Sequence, residues 1–312
     1  MDIKGLHNNM LSAIGNTALV KLQKIVPPDS AEVFVKLEYY NPTGSYKDRM
    51  ALAIIEEAEK RGALAKGMTV VECTGGSTGT SLAFVCSVKG YPFRVVSSDA
   101  FAKEKLQSMR LFGANLEIVK SENGKITPNL IPGMIKRTQE IAAEGNVYLT
   151  KQFENDDALA GYAKMANEIL NQLGKAPDIF CGAIGTAGML MGVAKEFKQQ
   201  DLSTKIVALE PASAPLISQG IKGAHTIDGI GVGFVPQLLD KNLYDEIRAI
   251  PEEIARETAR RLAKEEGIFA GTSSGLNIAA AIAIAKEIGP GKSIVTVACD
   301  SGMKYLAGNL FE

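Results

Sequence analysis

The residues able to do chemistry in this 312-residue chain are few in kind, and that narrows the reaction at once. Only two histidines, His7 and His225, are present, so a histidine-rich metal centre is out of reach and no metal ligand set is expected. Four cysteines, Cys73, Cys86, Cys181 and Cys299, are scattered without a CxxC pair, which argues against a zinc ribbon or disulfide framework and suits a reducing cytoplasm. A catalytic base must then be lysine, a carboxylate or tyrosine. Lys47 is the candidate, in Asn41-Pro42-Thr43-Gly44-Ser45-Tyr46-Lys47-Asp48-Arg49. Pro, Gly and Asn specify a turn there, and Ser45 can cap the helix that follows. Close to a helix N-terminus the dipole disfavours a cation, which favours a usable amine nucleophile or base. A solvated surface lysine satisfies the same local pattern.

Three glycine- and hydroxyl-rich turns accompany it. Thr74-Gly75-Gly76-Ser77-Thr78-Gly79 and Gly182-Ala183-Ile184-Gly185-Thr186-Ala187-Gly188 each stand between a strand and a helix, where small residues admit a ligand and helix-start N–H groups favour an anion. Gly271-Thr272-Ser273-Ser274-Gly275 precedes the last long helix. Each is equally readable as a turn without a ligand. The glycine spacing of the second is not that of the dinucleotide fingerprint. Gly289-Pro290-Gly291-Lys292-Ser293 imitates the end of a P-loop, but it precedes a strand and has Lys286 where the first glycine belongs. One amine and three ligand-approaching loops make a phosphate-bearing aldehyde, pyridoxal phosphate, an attractive cofactor.

The elements that must position these groups are legible from periodicity. Apolar runs at Glu32–Leu37, Met68–Val71, Phe93–Ser97, Leu116–Val119, Val147–Leu149, Ile179–Ala183, Ile206–Leu209 and Ser293–Ala298 read as buried strands. Helical patterns lie between them at Ala51–Arg61, Thr80–Lys89, Lys103–Phe112, Pro132–Glu144, Ala158–Leu173, Met189–Lys198, Pro251–Glu266 and Leu276–Ile288. The alternation predicts an α/β fold with mainly parallel sheets, and the length predicts two domains or one large one. With 34 Lys+Arg against 35 Asp+Glu, the net charge of -1 gives no generic pull on nucleic acid or anionic membranes. The start, Met1-Asp2-Ile3-Lys4-Gly5, is too polar for a signal peptide, and the longest apolar stretch, near Ala279–Ala285, is too short to span a bilayer.

Taken in order, these segments resemble the cysteine synthase and cystathionine β-synthase family of fold-type II pyridoxal-phosphate enzymes, over nearly the whole chain. The markers are Ile14-Gly15-Asn16-Thr17, Asn41–Arg49, Thr74–Gly79, Gln152-Phe153-Glu154-Asn155, Gly185–Met189, Gly229-Ile230-Gly231-Val232-Gly233-Phe234, Gly271–Gly275 and Ser301-Gly302-Met303-Lys304-Tyr305-Leu306. The resemblance implies that Lys47 is the Schiff-base lysine. Thr74, Gly75, Gly76 and Thr78 then hold the substrate carboxylate with Gln152, Ser77 faces the cofactor's 3'-oxygen, Gly185, Thr186, Ala187, Gly188 and Met189 hold its phosphate, and Ser273 faces the pyridine nitrogen. The family usually has T-S-G-N-T-G and G-T-G-G-T in the two loops. Here Gly75 removes a hydroxyl, Ser77 shortens an amide to a hydroxyl, and Met189 removes the last hydroxyl of the phosphate loop.

The resemblance further implies two α/β domains of the tryptophan synthase β type: a smaller mobile one over 46–150 that carries the substrate loop, and a larger cofactor-binding one from 1–45 with 151–312. Closure of the smaller domain over substrate, eased by Gly75 and Gly76, belongs to that expectation, as does a cytoplasmic homodimer. The implied activity is β-replacement on an activated serine, O-acetylserine plus sulfide giving cysteine and acetate. Alternatives are the reactions of cystathionine β-synthase, cyanoalanine synthase, O-phosphoserine sulfhydrylase, or a serine/threonine or cysteine lyase. A non-catalytic ligand-binding protein on the same scaffold is a further alternative, against which the presence of Lys47 argues.

Overall fold

The computed structural model describes residues 6–124 and 129–312. Met1–Gly5, the segment too polar for a signal peptide, lies outside them. The strands are β1 (Leu19–Lys21), β2 (Glu32–Leu37), β3 (Thr69–Cys73), β4 (Phe93–Ser98), β5 (Asn115–Val119), β6 (Val147–Leu149), β7 (Ile179–Ala183), β8 (Lys205–Pro211), β9 (Glu246–Ile250) and β10 (Ser293–Ala298). The helices are α1 (Lys47–Lys60), α2 (Ser77–Lys89), α3 (Lys103–Leu111), α4 (Leu130–Ala143), α5 (Asp157–Leu173), α6 (Gly188–Gln199), α7 (Leu216–Gln219), α8 (Glu252–Arg261) and α9 (Thr272–Ile288). They form two compact units, residues 1–14 with 47–158 and residues 15–46 with 159–312.

The smaller unit is built on a parallel sheet ordered β5-β4-β3-β6. Side chains alternate across a strand, so neighbouring valines of β3 serve opposite faces. Val70 packs with Ala51, Ile55 and Ala58 of α1 and Leu82 and Val85 of α2. Val71 packs with Leu130, Met134 and Ile141 of α4. A strand covered on both sides has no reason to alternate with polar residues, and this is why the run reads as continuously apolar.

The larger unit holds the sheet β1-β2-β10-β7-β8-β9, parallel except for β1, which runs antiparallel to β2. Every residue of β7 and β10 is buried. Helix α9 lies in this core, with Leu276, Ile278, Ala280, Ala281, Ile284 and Ala285 in one cluster with Val33, Val35, Cys181 and Ile294.

Two strands, β1 and β9, are absent from the periodicity reading. β1 is a three-residue edge strand, too short to show a period. In β9 the charged residues pair rather than mark a loop: Glu246 meets Lys205 and Arg248, and Arg248 also meets Glu287. Helix α1 begins at Lys47, a full turn before the expected Ala51, because the polar Lys47-Asp48-Arg49 turn is itself buried. Among the described residues no helix is long and apolar enough to cross a membrane.

Candidate active site

In the smaller unit, β3 and β6 are parallel neighbours in which Val71 pairs with Leu149, so the segments leaving their carboxyl ends meet. Ligands collect at such ends. The segment after β3 is Thr74-Gly75-Gly76, and Ser77 opens α2, whose N-terminus has no side-chain cap. The Gly76 N–H donates to Thr74 Oγ1 at 3.2 Å. The segment after β6 delivers Gln152, whose Nε2 donates to the Cys73 carbonyl at 3.1 Å. The Thr78 hydroxyl donates to Gln152 Oε1 at 2.7 Å. Thr74, Gly75, Gly76, Ser77, Thr78 and Gln152 are thus brought together. The Thr78 proton is spent on Gln152, whereas Thr74 Oγ1 accepts from Gly76 and keeps its own proton to donate, so the loop offers a carboxylate that hydroxyl together with backbone N–H and the second amide hydrogen of Gln152.

Beneath this loop lies a group that the motif reading missed. Glu72 is 4% exposed, and its carboxylate accepts from Cys73 N–H at 2.7 Å, Thr150 Oγ1 at 2.6 Å and Gln152 N–H at 3.0 Å. It ties β3 to the segment that carries Gln152. Its sequence signal is one acid inside the apolar run Thr69-Val70-Val71-Glu72-Cys73. Burial raises its pKa above the ordinary carboxylate value, while the three hydrogen bonds oppose the rise. The folded chain therefore keeps this proton to higher pH than the unfolded chain does. The group's contribution is most favourable at low pH and is lost as pH climbs from about 4.3, the unfolded glutamate value, through the raised folded one. Glu72→Gln is expected to flatten that slope in urea unfolding followed against pH. It also sets an amide NH₂ against N–H donors, at a cost of roughly 1–3 kcal/mol near neutrality. An unchanged slope and unchanged stability together would show that Glu72 holds nothing in place.

Lys47 is the first residue of α1 and is 7% exposed, so it is a buried amine and not the solvated surface lysine its local pattern also allowed.

In the larger unit the turn from β7 to α6 forms an anion cradle. Ile184, Thr186, Ala187 and Met189 are all under 10% exposed, and at the start of α6 Gly188 N–H donates to Thr186 Oγ1 at 3.3 Å, which leaves other N–H groups of the first turn without a side-chain cap. Orphan N–H groups at a buried helix start need a partner, and a phosphate supplies one. Ala187, the N-cap residue, takes a φ of 66°, the left-handed conformation uncommon outside glycine. A Cβ at Gly185 would stand 2.1 Å from the Gly229 carbonyl oxygen, so the 229–231 loop packs directly on the turn. Gly231 N–H donates to the Ile184 carbonyl at 3.1 Å, and His225 holds the other side of that loop through Nε2 and the Gly231 carbonyl at 3.0 Å. Met189 turns its side chain back onto β7, with Cε 2.5 Å from where a Gly182 Cβ would lie. Only its backbone N–H is left for an anion. A small, shallow cleft lined by Gly185, Glu210, Lys222, Gly231 and Phe234 opens beside the turn.

Ser273 lies in the first turn of α9 and is 5% exposed. One turn on, Asn277 fixes this helix start. Its Oδ1 accepts from Ala183 N–H at 2.9 Å and its Nδ2 donates to the Val297 carbonyl at 2.9 Å, joining α9 to the carboxyl ends of β7 and β10. A fully buried asparagine in an otherwise apolar helix was the available signal. Ser274 Oγ accepts from Cys299 N–H at 2.9 Å.

Within the larger unit, the buried start of α6 suits the phosphate of a cofactor such as pyridoxal phosphate. Rival nucleophiles are silenced. Burial pushes the thiols of Cys73, Cys86 and Cys181 up to about 12, so they stay protonated near neutrality. Burial likewise raises Tyr46 and Tyr305 well above the usual phenol value. Among the described residues no group of three or more His, Cys, Asp or Glu is placed to hold a metal ion.

Comparison with known proteins agrees with this chemistry. The profile described as "Pyridoxal-phosphate dependent enzyme" matches residues 10–300. A cysteine synthase of Staphylococcus aureus is 41% identical over 307 residues, covering 98% of this chain and 97% of its own. An O-ureido-L-serine synthase of Streptomyces lavendulae is 37% identical over 310 residues, covering 98% of this chain and 93% of its own. The crystal structure of O-acetyl serine sulfhydrylase isoform 3 from Entamoeba histolytica superposes with a TM-score of 0.93 at 36% identity, over 100% of this chain and 93% of that one. The chain therefore belongs to the fold-type II pyridoxal-phosphate-dependent enzymes, in their cysteine synthase family.

Proposed function

We propose that the protein is a cysteine synthase that converts O-acetylserine and sulfide into cysteine and acetate. The observation that carries this reading is the buried start of α6, where Gly185 lets the 229–231 loop close one side of an anion cradle. Pyridoxal phosphate, when bound, supplies an electron sink conjugated to the amino group of the substrate. Lys47 would hold the cofactor's aldehyde carbon and would be the amine that takes the proton from the substrate Cα. Gly185, Thr186, Ala187, Gly188 and Met189 hold the phosphate, and Ser77 faces the 3'-oxygen. Thr74, Gly75, Gly76, Thr78 and Gln152 orient the substrate carboxylate. Ser273 faces the ring nitrogen. A serine hydroxyl does not sustain a pyridinium as a carboxylate would, so the sink is shallow and loss of the β-leaving group is prompt. We further take the enzyme to work in the cytoplasm as a homodimer, in line with cysteines that form no disulfide among the described residues and with the family; light scattering of the purified protein checks the second point.

A second reading, β-replacement with another leaving group or nucleophile, is favoured by the altered Thr74–Gly79 loop and by the O-ureido-L-serine synthase relative. One experiment separates the two. Visible spectra of the cofactor-loaded protein are recorded with O-acetylserine, serine, O-phosphoserine and cysteine in turn, then with sulfide, and products are identified by mass. A spectral change with O-acetylserine that sulfide reverses, with cysteine formed, is expected. A change with another donor alone would favour the second reading, and no cofactor band at all would overturn both.

A further inference from the structure

The glycine at position 75 looks, in sequence, like a lost hydroxyl. In space it is a seat for an aromatic ring. A Cβ on Gly75 would stand 2.2, 2.3 and 2.4 Å from Cγ, Cδ2 and Cδ1 of Phe101, so the ring lies against the glycine backbone and leaves no room for any side chain. Register brings the two together. β3 and β4 are parallel, Cys73 pairs with Val96, and Thr74 N–H donates to the Val96 carbonyl at 3.1 Å. Gly75 then follows one strand by two residues and Phe101 the other by three.

The ring is held from behind. Phe101 N–H donates to the Ser98 carbonyl at 3.2 Å, and Ala100 N–H donates to Ser98 Oγ at 3.2 Å. The Asp99 carboxylate accepts from Ser121 N–H at 2.8 Å, fastening the same turn to the chain beyond β5. The ring packs on the apolar cluster that contains Val71 and Val96. On the other side of the loop, a Cβ at Gly76 would meet nothing within 4 Å; the Gly76 N–H is held by Thr74 Oγ1 and its carbonyl by the Gly79 N–H at 3.1 Å, while the ring is what bears on Gly75. Two adjacent glycines lose more conformational freedom on ordering than any other pair. A rigid ring pressed on one of them removes much of that freedom before the ligand arrives.

We propose that Phe101 is a positioning residue for amino-acid binding: its ring, seated on Gly75, pre-orders the Thr74–Gly79 backbone whose N–H groups receive the substrate carboxylate. The assignment rests on the proposed reading of that loop. The loop binds through a braced backbone where its relatives' pattern has a side-chain hydroxyl, so glycine at 75 and an aromatic at 101 form one unit.

The test is a double-substitution cycle on the cofactor-loaded enzyme with the amino-acid donor identified above. Phe101→Ala is expected to raise KM for the donor roughly 10-fold, the ordering cost of about one residue, with kcat within about 3-fold. Phe101→Leu keeps apolar bulk and should recover part of the loss. Gly75→Ser, which drives a side chain into the ring, should lower both kcat/KM and the unfolding midpoint. Gly75→Ser in the Phe101→Ala background, where the ring is gone, should do neither. Independent effects of the two substitutions on KM and on the midpoint would overturn the proposal, as would an unchanged KM in Phe101→Ala. A wild-type enzyme inert to every amino-acid donor would instead sink the functional reading. The unfolding midpoints would still decide whether residues 75 and 101 are one packed unit.

Discussion

Lys47→Ala is expected to bind pyridoxal phosphate without the visible band of a lysine-linked cofactor and to lose at least about 10³-fold in turnover. Two proposed roles disappear with one side chain, since the same amine is assigned both to hold the aldehyde carbon and to take the Cα proton. The loss should exceed what removal of a simple binding contact gives. The buried position of Lys47 at the start of α1 makes a gross folding defect a fair objection, because neighbouring Asp48 and Arg49 are buried too. Two controls answer it. The urea unfolding midpoint should fall far less than activity does, and a small primary amine added to the variant should restore part of the proton transfer while leaving KM for the donor unchanged. Retained turnover in the variant would overturn the assignment of Lys47. Lost turnover with a collapsed unfolding midpoint would mean that the residue is structural.

The parts of this site that were legible in sequence are the parts written in consecutive residues. A strand, a run of small residues and a helix start are local, so Thr74–Gly79 and Gly185–Met189 stand out from residue order alone. What escaped was set by tertiary register. Phe101 reaches Gly75 only because β3 and β4 pair with Cys73 opposite Val96, and no spacing of 26 residues announces that. Asn277 reads as one polar residue in an apolar helix until Ala183 and Val297 are seen to be its partners. Met189 marked a lost hydroxyl in sequence, yet its side chain was never aimed at an anion. In the fold, the buried central strands were recognisable because burial on both faces leaves an uninterrupted apolar run. β9 was not, because its charges satisfy one another across the sheet edge.

The same distinction explains why the Gly15–Thr17 and Asn41 markers, 26 residues apart, belong together. Asn41 Oδ1 accepts from Gly15 N–H at 2.9 Å, and Asn41 Nδ2 donates to Glu38 Oε2 at 2.9 Å. Thr17 Oγ1 donates to Glu38 Oε1 at 2.6 Å. The Thr17 carbonyl accepts in turn from Lys36 Nζ at 2.6 Å and from Gln172 Nε2 at 2.8 Å. Neither marker touches a ligand through these bonds. They fasten the segment that runs into α1.

The anchor of this network carries the second large effect. Lys36 is wholly buried on β2, and its ammonium meets Glu168 Oε2 at 2.7 Å and Gln172 Oε1 at 2.8 Å besides the Thr17 carbonyl. Lys36→Met is expected to destabilise the larger unit by about 3–5 kcal/mol, because it removes one partner of a buried ion pair whose carboxylate is only 14% exposed. Replacing both partners should be far milder. Lys36→Met with Glu168→Leu removes both charges of the pair, and the Thr17 carbonyl keeps its bond from Gln172. Equilibrium urea unfolding of the two single variants and the double variant measures the coupling. A double variant as unstable as the sum of the singles would mean that the pair contributes through the packing of each side chain alone. Recovery in the double variant would identify the half-broken ion pair as the source of the loss. Activity adds a separate readout, since the double variant keeps Glu38, Asn41 and Thr17 and should therefore keep its KM for the amino-acid donor. A KM that rose while stability recovered would instead show that the Lys36 ammonium itself fixes the path of the chain into α1.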